Sequence, residues 1–107
     1  TGVVAGRVNG WPKFVPVNSD GKPDEKILQA VRYFDVVNFA ARTHAKAAFV
    51  TGGFIDQTCP PSSVYAAYNA LPITKAIFND IPTAHANSPE AMKARNQAVI
   101  DFVKSVK

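Results

Sequence analysis

The chain has 107 residues, 47% of them hydrophobic, and a formal net charge of +4. That is the size of one small domain, with enough apolar content for a core. Its eight acidic residues are mixed among twelve basic ones, so no cationic run or motif marks a nucleic-acid surface. The single cysteine, Cys59, cannot form an internal disulfide. No apolar run approaches the ~20 residues of a membrane span, and no signal peptide is visible, though a chain that starts internally would have lost one.

In chain order, Thr1 to Gly10 is glycine-rich and weakly apolar. Gly10-Trp11-Pro12 is a bend whose tryptophan is expected to pack against its neighbours rather than line a sugar-binding mouth. Asn18 to Pro23 has the composition of a surface loop. A helix is expected from near Asp24, with Ile27, Leu28, Val31 and Phe34 on its inner face. Asp35 to Arg42 reads as a second short helix after a kink, burying Val36, Val37, Phe39 and Ala40. His44 precedes the next strand and is expected as a surface or capping residue.

Ala47-Ala48-Phe49-Val50 is short, apolar and uncharged, which suits a strand buried on both faces. Gly52-Gly53 ends it and permits a turn where a side chain would clash. Asp56 then falls just beyond the strand's carboxyl end. Pro60-Pro61 leads into a helix, with Phe54, Tyr65 and Tyr68 read as packing residues. Lys75-Ala76-Ile77-Phe78 is a second buried strand, followed by Asp80-Ile81-Pro82-Thr83-Ala84-His85. Ser88 fits an N-cap, Pro89 the first helical position, and Glu90 the positive helix end. The closing helix should bury Met92, Val99, Phe102, Val103 and Val106, leaving Lys93, Asp101 and Lys104 for water.

The order strand, Asp56, helix, strand, His85, helix is that of an α/β protein with parallel strands alternating with helices. If the strands are parallel neighbours, both loops open at one edge of the sheet, where functional groups collect. Asp56 and His85 would then meet, the acid fixing the tautomer of the imidazole so that its other nitrogen can serve as a base. On the residues alone, the reading of His85 as an ordinary loop histidine wins. Asp80 rivals Asp56 as the acid, with a local hydrogen bond to the loop backbone as its alternative role. Cys59 beside two prolines suits a packing corner better than a nucleophile. Two distant histidines and one cysteine do not supply a metal site by spacing. Gly52-Gly53 lacks the Lys-Ser/Thr of a phosphate loop, and no repeat or low-complexity tract is present.

Three stretches together carry a specific likeness: Asp35-Val36-Val37-Asn38-Phe39-Ala40-Ala41-Arg42, then Gly53-Phe54-Ile55-Asp56-Gln57-Thr58-Cys59-Pro60-Pro61-Ser62, then Ala66-Ala67-Tyr68-Asn69. They resemble the carboxyl-terminal third of acetyl xylan esterases, α/β-hydrolases in the group that includes cephalosporin C deacetylases. The resemblance runs from about Trp11 onward. It implies that Asp56 and His85 are the acid and histidine of a Ser-His-Asp triad, with no cofactor and no metal. Ala84 stands where relatives commonly carry glycine.

The nucleophile elbow Gly-x-Ser-x-Gly, expected before the acid in this fold, does not occur in the 107 residues. The expectation is therefore a carboxyl-terminal segment, residues 1–107, of a single α/β-hydrolase domain. The nucleophilic serine and oxyanion hole would lie elsewhere in the parent, and this chain alone would be inactive. The implied substrate is an acetylated carbohydrate or other small acetyl ester. The implied partner is the rest of the hydrolase, with self-association as an alternative for the exposed sheet edge. Two other readings stay open: an esterase, lactonase or peptidase of the same fold, and a non-catalytic module that retains the hydrolase tail.

Overall fold

The computed structural model describes residues 15–106, in the order α1 (Glu25–Phe34), α2 (Val36–Ala40), β1 (Ala47–Gly53), α3 (Pro61–Ala70), β2 (Thr74–Asp80) and α4 (Pro89–Ser105). The glycine-rich opening and Trp11 lie outside the described residues.

Each helix starts where its capping chemistry says it should. The Asp24 carboxylate accepts the N–H groups of Lys26 and Ile27 and so opens α1. Asp35 ends that helix in an extended conformation, and its side chain then accepts the N–H of Val37 to begin α2. One residue thus serves as the stop of one helix and the start of the next, which is the kink expected from sequence. Pro61 opens α3 and Pro89 opens α4, where their missing N–H groups cost no helical bond. Ser88 caps α4 by accepting the N–H of Ala91 at 3.1 Å.

β1 and β2 pair in parallel, with Ala47 opposite Thr74 and Gly53 opposite Asp80. Each strand is longer than the apolar run that announces it. β1 continues through Thr51 and both glycines, and β2 extends from Thr74 to Asp80. Because the register is unstaggered, both strands finish at the same level and their following loops leave from one edge. α3 packs on β1 and α2, and α4 packs on both strands. The C-terminus of α3 is held by Lys75, whose ammonium donates to the carbonyls of Tyr68, Asn69 and Leu71 at 2.8–3.2 Å. A cation at that end also complements the helix dipole.

The expected core is only partly sealed. Among the described residues the buried apolar side chains are Val15, Leu28 and Ala91. Phe34, Val36 and Phe39 are exposed rather than buried, as is Phe54. On α4, Met92, Val99, Phe102, Val103 and Val106 all face solvent, and the residue that reaches the interior is Ala91. Ala47 to Val50 are half-buried, not covered on both faces. The reason is the same throughout. The two strands and four helices among the described residues supply too few layers to cover the apolar surface they carry. The Cα radius of gyration is 16.3 Å, against ~13 Å for a compact chain of this length. Among the described residues, no helix is long and apolar enough to cross a membrane.

Candidate active site

At the carboxyl edge of the sheet the two loops interlock. Beyond Gly53, the N–H of Phe54 donates to the carbonyl of Asp80, continuing the sheet pattern past β1. The N–H of Ile55 donates to the carbonyl of Thr83. The loops approach so closely that a Cβ on Gly53 would sit 2.5 Å from Thr83 O and closer still to Ala84 O. Glycine is required there for space and not for backbone conformation, since Gly21 alone among the described residues has a positive φ. Ala84 therefore needs no left-handed backbone.

Asp56 sits at the mouth of this junction. Its Oδ1 accepts the N–H of Thr58 at 2.8 Å and of Cys59 at 2.9 Å, an Asx-type turn that bends the chain toward Pro60 and α3. Its Oδ2 lies 2.9 Å from His85 Nδ1. The two residues are 29 positions apart in sequence and are brought together by the parallel pairing of the strands that precede them. The carboxylate is 8% exposed and the imidazole 62% exposed. The acid is thus sheltered, while the ring it holds stands open to whatever approaches the edge.

The charge state follows from these contacts. Burial by itself pushes the Asp56 carboxyl up. The N–H of Cys59, the His85 ring, the N–H of Thr58 and the charge of a protonated His85 act against it and prevail, so the group is held below the ordinary aspartate value. An ionised carboxylate can only accept, so His85 Nδ1 carries the proton and donates it to Oδ2. In the neutral ring Nε2 is then the unprotonated nitrogen, with a lone pair available as a base.

Asp80, the rival acid, does not reach the imidazole in any hydrogen bond among the described residues. It is buried at the end of β2, and its Oδ2 accepts the N–H of Ser88 at 2.8 Å. Its carboxyl is held below the ordinary value, first by that bond, against the opposing effect of burial, with the hydroxyls of Thr83 and Ser88 adding to it. His44 is exposed and precedes β1, at the opposite end of the strand from Asp56. Cys59 is exposed and not in a packing corner. Donor atoms of Asp56, Cys59 and His85 lie within 4.8 Å of one another, a proximity that sequence spacing did not foresee. A cation there would have to compete for a carboxylate that already accepts from two N–H groups and the His85 ring.

Other links at this edge left no mark in the sequence. The Thr51 hydroxyl donates to Asn87 Oδ1 at 2.8 Å, tying β1 to the end of the His85 loop. The Tyr65 hydroxyl donates to Asn79 Oδ1 at 2.7 Å, tying α3 to β2. Both connect a strand to a segment distant in sequence, so no local pattern signals them. The Asx turn at Asp56 is different, because Asp followed by turn-forming residues ahead of Pro-Pro is a readable signature.

A parallel strand pair alternating with helices, its two carboxyl-end loops presenting a hydrogen-bonded acid and histidine, is compatible with part of an α/β-hydrolase fold. The chain belongs to the acetyl xylan esterase (AXE1) family, whose model matches residues 9–105. It is also similar to the acetyl esterase Axe7A of Xylanibacter ruminicola, with 31% identity over 74 residues, which is 69% of this chain and 16% of that protein. The chain thus spans about one sixth of the length of that curated relative.

Proposed function

We propose that residues 1–107 are a carboxyl-terminal segment of a serine-type acetyl esterase acting on acetylated carbohydrate, and that they contribute its acid and its base. The observation that carries this reading is the 2.9 Å contact between Asp56 Oδ2 and His85 Nδ1, with the acid buried and the ring open. No Gly-x-Ser-x-Gly occurs in the 107 residues, so the nucleophilic serine and the oxyanion hole are assigned to another part of the parent. The chain by itself is therefore expected to be inactive.

In this scheme the serine hydroxyl approaches the exposed face of His85. Nε2 takes its proton as the oxygen attacks the acetyl carbonyl, and the imidazole becomes a cation. Asp56 remains ionised, holds Nδ1–H and stabilises that cation. Collapse of the tetrahedral intermediate expels the sugar oxygen, which takes the proton back from Nε2, and leaves acetyl-serine. Water, deprotonated by the same nitrogen, then releases acetate and restores the serine.

The test is His85→Ala in the complete polypeptide, assayed with an aryl acetate and with acetylated xylo-oligosaccharides. A fall in kcat of about a thousandfold or more, with an unchanged melting temperature, is expected. Near-normal turnover would remove His85 from the chemistry. A parent sequence without a Gly-x-Ser-x-Gly elbow would turn the assignment toward a non-catalytic module.

A further inference from the structure

We propose that Asp80 is a positioning residue for His85, a buried carboxylate that ties the exit of the histidine loop to its entry and so fixes the ring against Asp56. The inference rests on the reading of His85 as the catalytic base and adds a residue that this reading does not include.

The geometry is that of a staple. Asp80 is the last residue of β2, and the loop it starts runs from Ile81 to Ser88 with His85 inside it. Asp80 Oδ2 accepts the N–H of Ser88, closing the loop eight residues on. Partway along, the Asp80 carbonyl accepts the N–H of Thr83 at 3.2 Å. That carbonyl also accepts the N–H of Phe54, two residues before Asp56, at 3.2 Å. One residue therefore touches both catalytic loops, holding one through its main chain and the other through main chain and side chain.

The chemistry favours an ionised acid at this position. Asp80 is 3% exposed, and a charge taken so far out of water is tolerated only where hydrogen bonds replace its hydration. The N–H of Ser88 does so at 2.8 Å, and Ser88 is the residue that caps α4, whose positive end favours an anion. Without the carboxylate, the Ser88 N–H loses its acceptor. The loop would then be held to the sheet edge chiefly by the Ile55–Thr83 and Thr51–Asn87 bonds. A ring that is 62% exposed has little packing to hold it, so its aim depends on the backbone beneath. Displacement by about 1 Å is enough to cost on the order of a hundredfold in rate.

The experiment compares Asp80→Ala, Asp80→Asn and a distant destabilising control, Asp24→Ala, in the complete polypeptide. Asp24 caps α1 and has no part in the site. Two readouts are taken: kcat and KM for an aryl acetate, and the proton resonance of His85 Nδ1–H. Asp80→Ala should lower kcat tenfold to a hundredfold with KM nearly constant, and should shift or broaden the Nδ1–H signal. Asp80→Asn keeps one acceptor for Ser88 and should recover most of the rate. Asp24→Ala should lower the melting temperature and leave both readouts in place. An Asp80→Ala protein with an intact Nδ1–H resonance and normal kcat overturns the proposal, as does an Asp24→Ala protein that reproduces the loss. If instead His85→Ala keeps its activity, the functional reading fails while the resonance still decides the role of Asp80.

Discussion

Gly53 at the end of β1 lies against the backbone carbonyl of Ala84, beside His85, and no side chain can be inserted between them. This contact lets the acid loop and the histidine loop share one edge. A methyl group there meets main-chain atoms, which cannot swing aside. Gly53→Ala should therefore cost about 1–3 kcal/mol of stability and displace the His85 loop, lowering kcat tenfold or more in the complete polypeptide. Gly52→Ala is the matched control, because its added carbon would lie 3.4 Å from a Val64 methyl, an ordinary contact. Thermal melts and aryl acetate assays on the two variants check the contrast, and equal losses at both positions would contradict it.

Asp56→Asn should be nearly as damaging as loss of His85. The Oδ1 side of the carboxylate faces two N–H donors, from Thr58 and Cys59, while Oδ2 faces His85. An asparagine keeps its single oxygen on the two donors, which turns its NH2 toward the imidazole. Nδ1 must then accept, the proton moves to Nε2, and the nitrogen needed as a base is blocked. A fall in kcat of about a thousandfold to ten-thousandfold is expected, by the logic of an acid that sets the tautomer of its histidine. A melting temperature within a few degrees of wild type would show that the fold survives. A kcat within tenfold of wild type would mean that the carboxylate does not set the tautomer.

Acid should destabilise the protein through the same carboxylates. Asp56 and Asp80 are both held below the ordinary aspartate value in the folded state. The unfolded chain therefore takes up these protons first. The stability they contribute is fully present above about pH 4, the unfolded range, and is lost as pH falls from there through the lower folded values. Melting temperature measured from pH 6 down to pH 2 should drop on that limb. Asp56→Asn and Asp80→Asn should each flatten it. An unchanged acid slope in both variants would show that neither carboxylate is linked to folding.

The 107-residue chain in isolation should not behave as a rigid monomer. Among the described residues the sheet has two strands, each with an unpaired edge. Phe34, Phe39, Val99 and Phe102 are exposed alongside. Sedimentation across a concentration series should detect association, and a hydrophobic dye should bind at neutral pH. A monomer with a sharp, concentration-independent melt would contradict this expectation.

Local chemistry was legible from the residues alone. Asp24, Asp35 and Ser88 announce helix starts because a short polar side chain satisfies backbone donors within three residues. Pro61 and Pro89 do so because their ring suits the first turn. Gly53 marks the end of a strand, and the stretch from Gly53 to Ser62 carries the family. All of these are interactions over a few positions, so the order of residues is enough to reveal them.

The tertiary structure decided what depends on distance across the chain. Only the unstaggered parallel register of Gly53 with Asp80 brings two loops to one level, and with them Asp56 to His85. It also separated the two candidate acids, sending Asp56 to the imidazole and Asp80 back to its own loop, although Asp80 is nearer in sequence. The exposure of the apolar face of α4 has the complementary reason. An apolar face on a helix records that something should cover it, while the covering layer is a property of the assembled fold.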